Sequence, residues 1–117
     1  MSRDYRLFLE DILTSSEKFV RYTRGLNKDD FLKDEKTYDA VVRNLTVIGE
    51  AVKHIPDKVR DRYAQLEWRE IAGFRDIVIH EYFGIDEEIL WDIIQNEVPS
   101  LLAKLGEIIV QEEHEDD

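Results

Sequence analysis

Apolar residues recur at intervals of three and four along nearly the whole chain, and no stretch alternates apolar with polar residues as a half-buried strand would. Such segments can bury their hydrophobic sides only as helices packed on helices. Tyr5, Phe8, Leu9, Ile12, Ser16, Phe19 and Tyr22 share one stripe of a first helix predicted over 3–23, with Gly25 as its stop. Asn27 is placed to cap a short turn through Phe31 and Leu32. A second long helix begins near Asp34 and carries Tyr38, Val41, Val42, Leu45, Ile48, Gly49, Val52 and Ile55 on one side until Pro56 ends it. A short helix over 57–63 follows, then a third long helix from about Glu67 and Trp68 to Phe83, broken by Gly84. Asp86 caps the fourth, with Glu87 and Glu88 in its first turn, and its stripe runs from Ile89 to Ile109 past a Pro99 that should kink it. The expected fold is all-α, an up-and-down four-helix bundle with short extra helices over residues 1–111, followed by an acidic disordered tail over 112–117.

Composition narrows the function classes. A chain of 117 residues is one domain able to bury a core, and with no cysteine it forms neither disulfides nor thiolate metal sites, which fits a reducing cytoplasm. The start is amphipathic, and no apolar run approaches the ~20 residues of a bilayer crossing, so a soluble cytoplasmic protein without a membrane partner is expected. His54 and His114 lack spacing partners, and no His-x-x-x-His pair or carboxylate cluster converges with them, so neither a metal nor another cofactor is expected. With 37% charged residues, one Met and three Gln, the composition leans towards a thermophile's.

The net charge of -11 argues at first against a nucleic-acid binder, because Lys and Arg contacts to phosphate supply most non-specific affinity. Its distribution weakens the objection. Residues 1–80 carry 15 basic and 15 acidic side chains, whereas residues 81–117 carry Lys104 against 12 acids. The ground leading to the motif described next is mildly basic, with Lys53, Lys58, Arg60, Arg62, Arg69 and Arg75 against Asp57, Asp61, Glu67 and Glu70.

Arg75, His80 and Tyr82 fall in the stretch Arg75-Asp76-Ile77-Val78-Ile79-His80-Glu81-Tyr82, the one place where a permanent cation, a group titrating near neutrality and a phenolic hydroxyl come within eight residues. An arginine holds a phosphate through a planar fork of donors, and a histidine with a reference pKa of about 6.5 takes and returns a proton near neutral pH. That pair is the minimum for cleaving RNA without a metal. On a helix turning about 100° per residue, Arg75 and Tyr82 return to within about 20° of each other, while His80 lies about 140° from Arg75. Two resolutions stand open: the helix loosens after Ile79, near Gly84, or a second copy of the motif completes the site across a two-fold axis. Asp76, four residues before His80, has the spacing to bond its imidazole and fix the tautomer, though an ordinary helix-surface ion pair has the same spacing. On the second helix Arg43 and Glu50, seven apart, share a face beside an otherwise apolar run, as catalytic support or as a salt bridge within or between chains.

Tyr38-Asp39-Ala40-Val41-Val42-Arg43-Asn44-Leu45 with Ile48-Gly49-Glu50-Ala51, then Trp68-Arg69-Glu70-Ile71-Ala72-Gly73-Phe74-Arg75-Asp76, then His80-Glu81-Tyr82-Phe83-Gly84-Ile85-Asp86, resemble in order the blocks of the HepT-like branch of the HEPN superfamily. The resemblance implies a small helical ribonuclease toxin of a type II toxin–antitoxin pair, metal-independent, with an active site formed at a homodimer interface. It implies that Arg75 holds the scissile phosphate and that His80 acts as general base or acid while a ribose 2′-hydroxyl attacks. It further implies that Tyr82 is the residue a cognate MntA-like minimal nucleotidyltransferase modifies with AMP. The partners expected are RNA, that nucleotidyltransferase and a second copy of the chain, with no role for DNA. A reading from another class is a non-catalytic companion subunit that binds nucleotide or docks a nucleotidyltransferase; cleavage of RNA in the presence of EDTA separates the two.

Overall fold

The computed structural model describes residues 4–81 and 86–115, with the side chains at 79–81 and 115 left out of the description. Its elements are α1 (Tyr5–Thr23), α2 (Lys28–Lys33), α3 (Glu35–Val52), α4 (Asp57–Arg62), α5 (Trp68–Ala72), α6 (Phe74–Glu81), α7 (Glu87–Asp92), a π-helical turn (Ile93–Glu97) and α8 (Val98–Glu115). Among the described residues the protein is all-helical, with no strand.

Local chemistry sets most of the helix ends. Asp4 accepts from the Arg6 amide to open α1, and Gly25, at φ 80°, takes the left-handed conformation that reverses the chain after it. Asn27 accepts from the Asp30 amide at 2.8 Å to open α2. Asp34 opens α3 by accepting from both the amide and the hydroxyl of Thr37, and these bonds hold its carboxyl below the usual carboxylate range. Asp86 opens α7 through the Glu88 amide. At the far end of α3, Arg60 donates to the carbonyls of Val52 and Ile55 at 2.7 and 3.0 Å, satisfying acceptors that a helix leaves open there.

α1 packs on α3 and α8, and α3 in turn carries α5 and α6. The core between them includes Leu9, Ile12, Phe19, Val41, Leu45, Ile48, Leu105 and Ile108, each at most 1% exposed. Burying a side chain of this size stabilises the fold by about 1.5–3 kcal/mol before entropy is subtracted. Two expected members of the inward stripes stand outside it: Tyr22 is 39% and Ile89 49% exposed.

Three departures from the sequence expectation have physical causes. The third long helix is two, α5 and α6, joined at Gly73 in a tight elbow where the Gly73 amide still bonds the Arg69 carbonyl. The fourth long helix, expected to kink at Pro99, is divided into α7, a π-turn and α8. Ahead of Pro99 the backbone widens into the π-turn, in which the Val98 amide reaches back to Ile93, and the wider turn takes up a site where the proline ring would clash with the preceding turn. The expected acidic tail over 112–117 begins too early, since α8 runs through Glu115 and Glu112 is 3% exposed. Glu112 continues the stripe of Leu105 and Ile108, so it points inward, where Arg62 Nη1 lies 3.0 Å from one of its oxygens and the Tyr5 hydroxyl donates to the other at 3.1 Å. Burial first, and then Glu112, push the Tyr5 phenol above its usual pKa.

Candidate active site at the elbow between the fifth and sixth helices

The elbow is fixed from below by apolar anchors. Trp68 is 8% exposed and donates its indole N–H to the Tyr63 carbonyl at 3.0 Å, which pins the start of α5. Ile71, Phe74 and Val78 are buried and hold the inner sides of α5 and α6 in the core. Arg75 follows Phe74 by one residue, about 100° round the helix, and so stands at the rim of that contact.

Arg75 reaches across to α3. Its Nη1 lies 2.7 Å from Glu50 Oε1, and Lys53 Nζ approaches the same oxygen at 3.9 Å. The Arg75 contact is a close charge pair out of line for a hydrogen bond, since Glu50 Oε1 is enclosed yet has no aligned donor. About two fifths of each side chain remains exposed, 43% for Arg75 and 41% for Glu50.

The partner of Glu50 is therefore Arg75. Arg43, two turns back on α3, is exposed and makes no ion pair or hydrogen bond among the described residues. No spacing rule on a single helix reveals a cross-helix pair. Asp76 is exposed on α6. His80 belongs to α6 by its backbone, while its side chain, its expected bond to Asp76, and Tyr82 lie outside the described residues.

Sequence reasoning did not see what seats the elbow. A Cβ added at Gly49 would stand 3.0 Å from the Arg75 nitrogen, 3.2 Å from the Ala72 carbonyl oxygen and 3.2 Å from the Arg75 Cβ. The signal was legible in principle: a glycine inside a long helix costs roughly 1 kcal/mol relative to alanine and asks for a packing reason. Of the remaining histidines, His54 is exposed and stacks on Phe8 with ring centroids 4.4 Å apart. Among the described residues no group of three or more His, Cys, Asp and Glu side chains could hold a metal ion, and no helix is long and apolar enough to cross a membrane.

A cavity of about 330 Å³, not lined by Arg75, lies between α5 and the π-turn with α8. Leu66, Phe74 and Leu101 are among the apolar residues lining it, and Glu67, Glu70, Glu97 and Lys104 are its charged residues. Burial, then Glu70 and Asp92, push the Glu97 carboxyl above its usual pKa.

The family model described as Ribonuclease HepT-like matches residues 12–108. The chain belongs to the HepT-like ribonuclease family. Its relatives include a candidate RNase of Methanocaldococcus jannaschii, 46% identical over 115 residues that cover 98% of this chain and 95% of that one. A candidate RNase of Caldanaerobacter subterraneus is 42% identical over 92% of this chain and 96% of its own. The protein named probable ribonuclease HepT of Thermococcus cleftensis is 41% identical over 92% of this chain and 98% of its own. No solved structure matches. The matched segment spans most of the chain and includes Glu50, Arg75 and His80.

Proposed function

We propose that the protein is a metal-independent endoribonuclease toxin that works as a two-fold homodimer in the cytoplasm. The observation that carries this reading is the Arg75–Glu50 pair: a permanent cation, fixed at a half-exposed rim with donors to spare, five residues before a histidine on the same helix. In the proposed reaction the 2′-hydroxyl attacks the adjacent phosphorus and the 5′-oxygen leaves, giving a 2′,3′-cyclic phosphate and a 5′-hydroxyl end. His80 takes the hydroxyl proton or returns one to the leaving oxygen, and Arg75 neutralises the charge that gathers on the pentacoordinate phosphorus. Glu50, Arg43 and Asp76 are supporting groups: Glu50 holds Arg75, exposed Arg43 offers a further phosphate contact, and Asp76 orients His80.

The helical backbone of α6 continues through Glu81, which favours completion of the site by a second chain. At about 140° apart on one helix, Arg75 and His80 are better joined by a second chain than within one. That supports a composite site, with Arg75 of one protomer facing His80 of its partner.

Control is proposed to act at Tyr82, where a cognate minimal nucleotidyltransferase of the MntA type would attach AMP. The added phosphate and base would sit near the cation meant for RNA and block it by charge and by volume. The test of the whole reading is cleavage of RNA by the purified protein with EDTA present, followed by end analysis. Products ending in 2′,3′-cyclic phosphate that disappear in His80→Ala support it, and cleavage that survives His80→Ala or stops on chelation defeats the mechanism. A second reading, a companion subunit that only docks a nucleotidyltransferase, is favoured by the acidic last helix and tail, where residues 81–117 carry 12 acids against Lys104 and so suit a basic protein surface better than RNA. Absence of any RNA cleavage together with a stable complex would select it.

A further inference from the structure

We propose that Gly49 is a positioning residue for Arg75, the missing side chain being the gap into which the elbow between α5 and α6 settles. The inference rests on the reading of Arg75 as the group that holds the phosphate. Two of the three atoms an added Cβ would meet, the Arg75 nitrogen at 3.0 Å and the Ala72 carbonyl oxygen at 3.2 Å, are backbone of the elbow itself. Backbone has no rotamer to swing aside, so relief requires the elbow to move as a piece. The third, the Arg75 Cβ at 3.2 Å, is the root of the functional side chain. A methyl group at 49 therefore lifts Arg75 from its base, while Glu50, the next residue on α3, stays where it is.

Seat and ion partner occupy adjacent positions of one helix turn, so the depth of the seat sets where the guanidinium meets the carboxylate. Gly106 in α8 shows that a helical glycine in this protein need not have such a role, because a Cβ there meets nothing within 4 Å.

The experiment compares Gly49→Ala with Gly106→Ala in the full chain, at a temperature well below each melting midpoint. Gly49→Ala is expected to lower kcat on a single-stranded RNA on the order of tenfold to a hundredfold with little change in KM, as a small misplacement of a catalytic group does. Gly106→Ala should cleave like the parent. If Gly49 acts through the ion pair, Glu50→Gln should cost far less in the Gly49→Ala background than in the parent, whereas a merely structural glycine gives costs that add. Glu50→Asp, which draws the carboxylate back without touching the elbow, should reproduce the kcat loss even if Gly49→Ala folds poorly. Full activity in Glu50→Asp, parental kcat in Gly49→Ala, or additive costs would each overturn the proposal. The Arg75 side-chain Nε–H resonance in a ¹⁵N spectrum reads the seat without any cleavage. It should move in Gly49→Ala towards its position in Glu50→Gln, and an unmoved resonance overturns the seat. A parent that cleaves no RNA would instead overturn the ribonuclease reading and leave the spectrum to decide Gly49.

Discussion

Two arginine–glutamate pairs in this protein share a chemistry and differ in how much water they see. Arg62 and Glu112 meet at 3.0 Å with Glu112 only 3% exposed, and Tyr5 closes the remaining side of the carboxylate. Arg75 and Glu50 meet at 2.7 Å with both side chains about two fifths exposed. In the first pair both carboxylate oxygens have donors, and three helices, α1, α4 and α8, are tied at one point. In the second the contact fixes one edge of the guanidinium and leaves the rest to solvent. The first pair encloses its carboxylate, though Arg62 itself is 33% exposed, whereas the second keeps both partners partly in water.

That contrast is broken most directly through activity. His80→Ala and Arg75→Ala should each lower RNA cleavage by ~10²–10⁴-fold while melting close to the parent, assayed by gel with EDTA present. If Arg75→Ala instead melts far below the parent and keeps its activity, the two pairs do the same job and the distinction fails.

Next in size is the enclosed pair. Arg62→Met leaves the buried Glu112 without its cation, and the loss should be about 3–5 kcal/mol in a urea titration, with cleavage retained where the protein remains folded. A loss under ~1 kcal/mol would show that the pair behaves as an ordinary surface contact. Glu50→Gln sharpens the same point from the other side. Because its pair is half exposed, stability should fall by no more than ~1 kcal/mol, so a larger effect on kcat than on the urea midpoint marks a positioning role.

The smallest effect concerns Glu97, which has no cation within ion-pair distance among the described residues and stands near Glu70 and Asp92. Its folded pKa is raised, by burial before the neighbouring acids, so the folded state holds the proton more tightly than the unfolded chain does. The resulting stability is fully present below the ordinary glutamate pKa and is lost as pH rises through the higher folded value. Melting temperature should therefore show a shallow decline over that window, and Glu97→Gln should flatten it. An unchanged slope would mean that another carboxyl governs it.

Asn27 and Asp86 were readable as caps because each side chain bonds an amide two or three residues on, inside one stretch of sequence. Arg75 and His80 were readable as chemistry because their residue types and spacing lie on one helix. Glu112 was misplaced for the opposite reason. It was counted with the acids beside it, although its position three and seven residues beyond Ile109 and Leu105 was compatible with the buried face, and the donors that make that burial tolerable, Arg62 and Tyr5, come from distant parts of the sequence. Glu50 was set against Arg43, its neighbour on α3, while its partner comes from α6.

The sequence by itself determined that the chain is helical, where most helices start, and which segment bears the arginine and the histidine, since these follow from hydrogen bonds and periodicities that span a few residues. Tertiary structure alone decided that Gly49 is a seat, that Glu50 answers Arg75, and that Glu112 is locked to Arg62 and Tyr5. The physical reason is range. A cap or an amphipathic stripe is a property of neighbours in the chain, whereas a close approach or an ion pair depends on how two helices cross, and that crossing is set by the packing of the whole core.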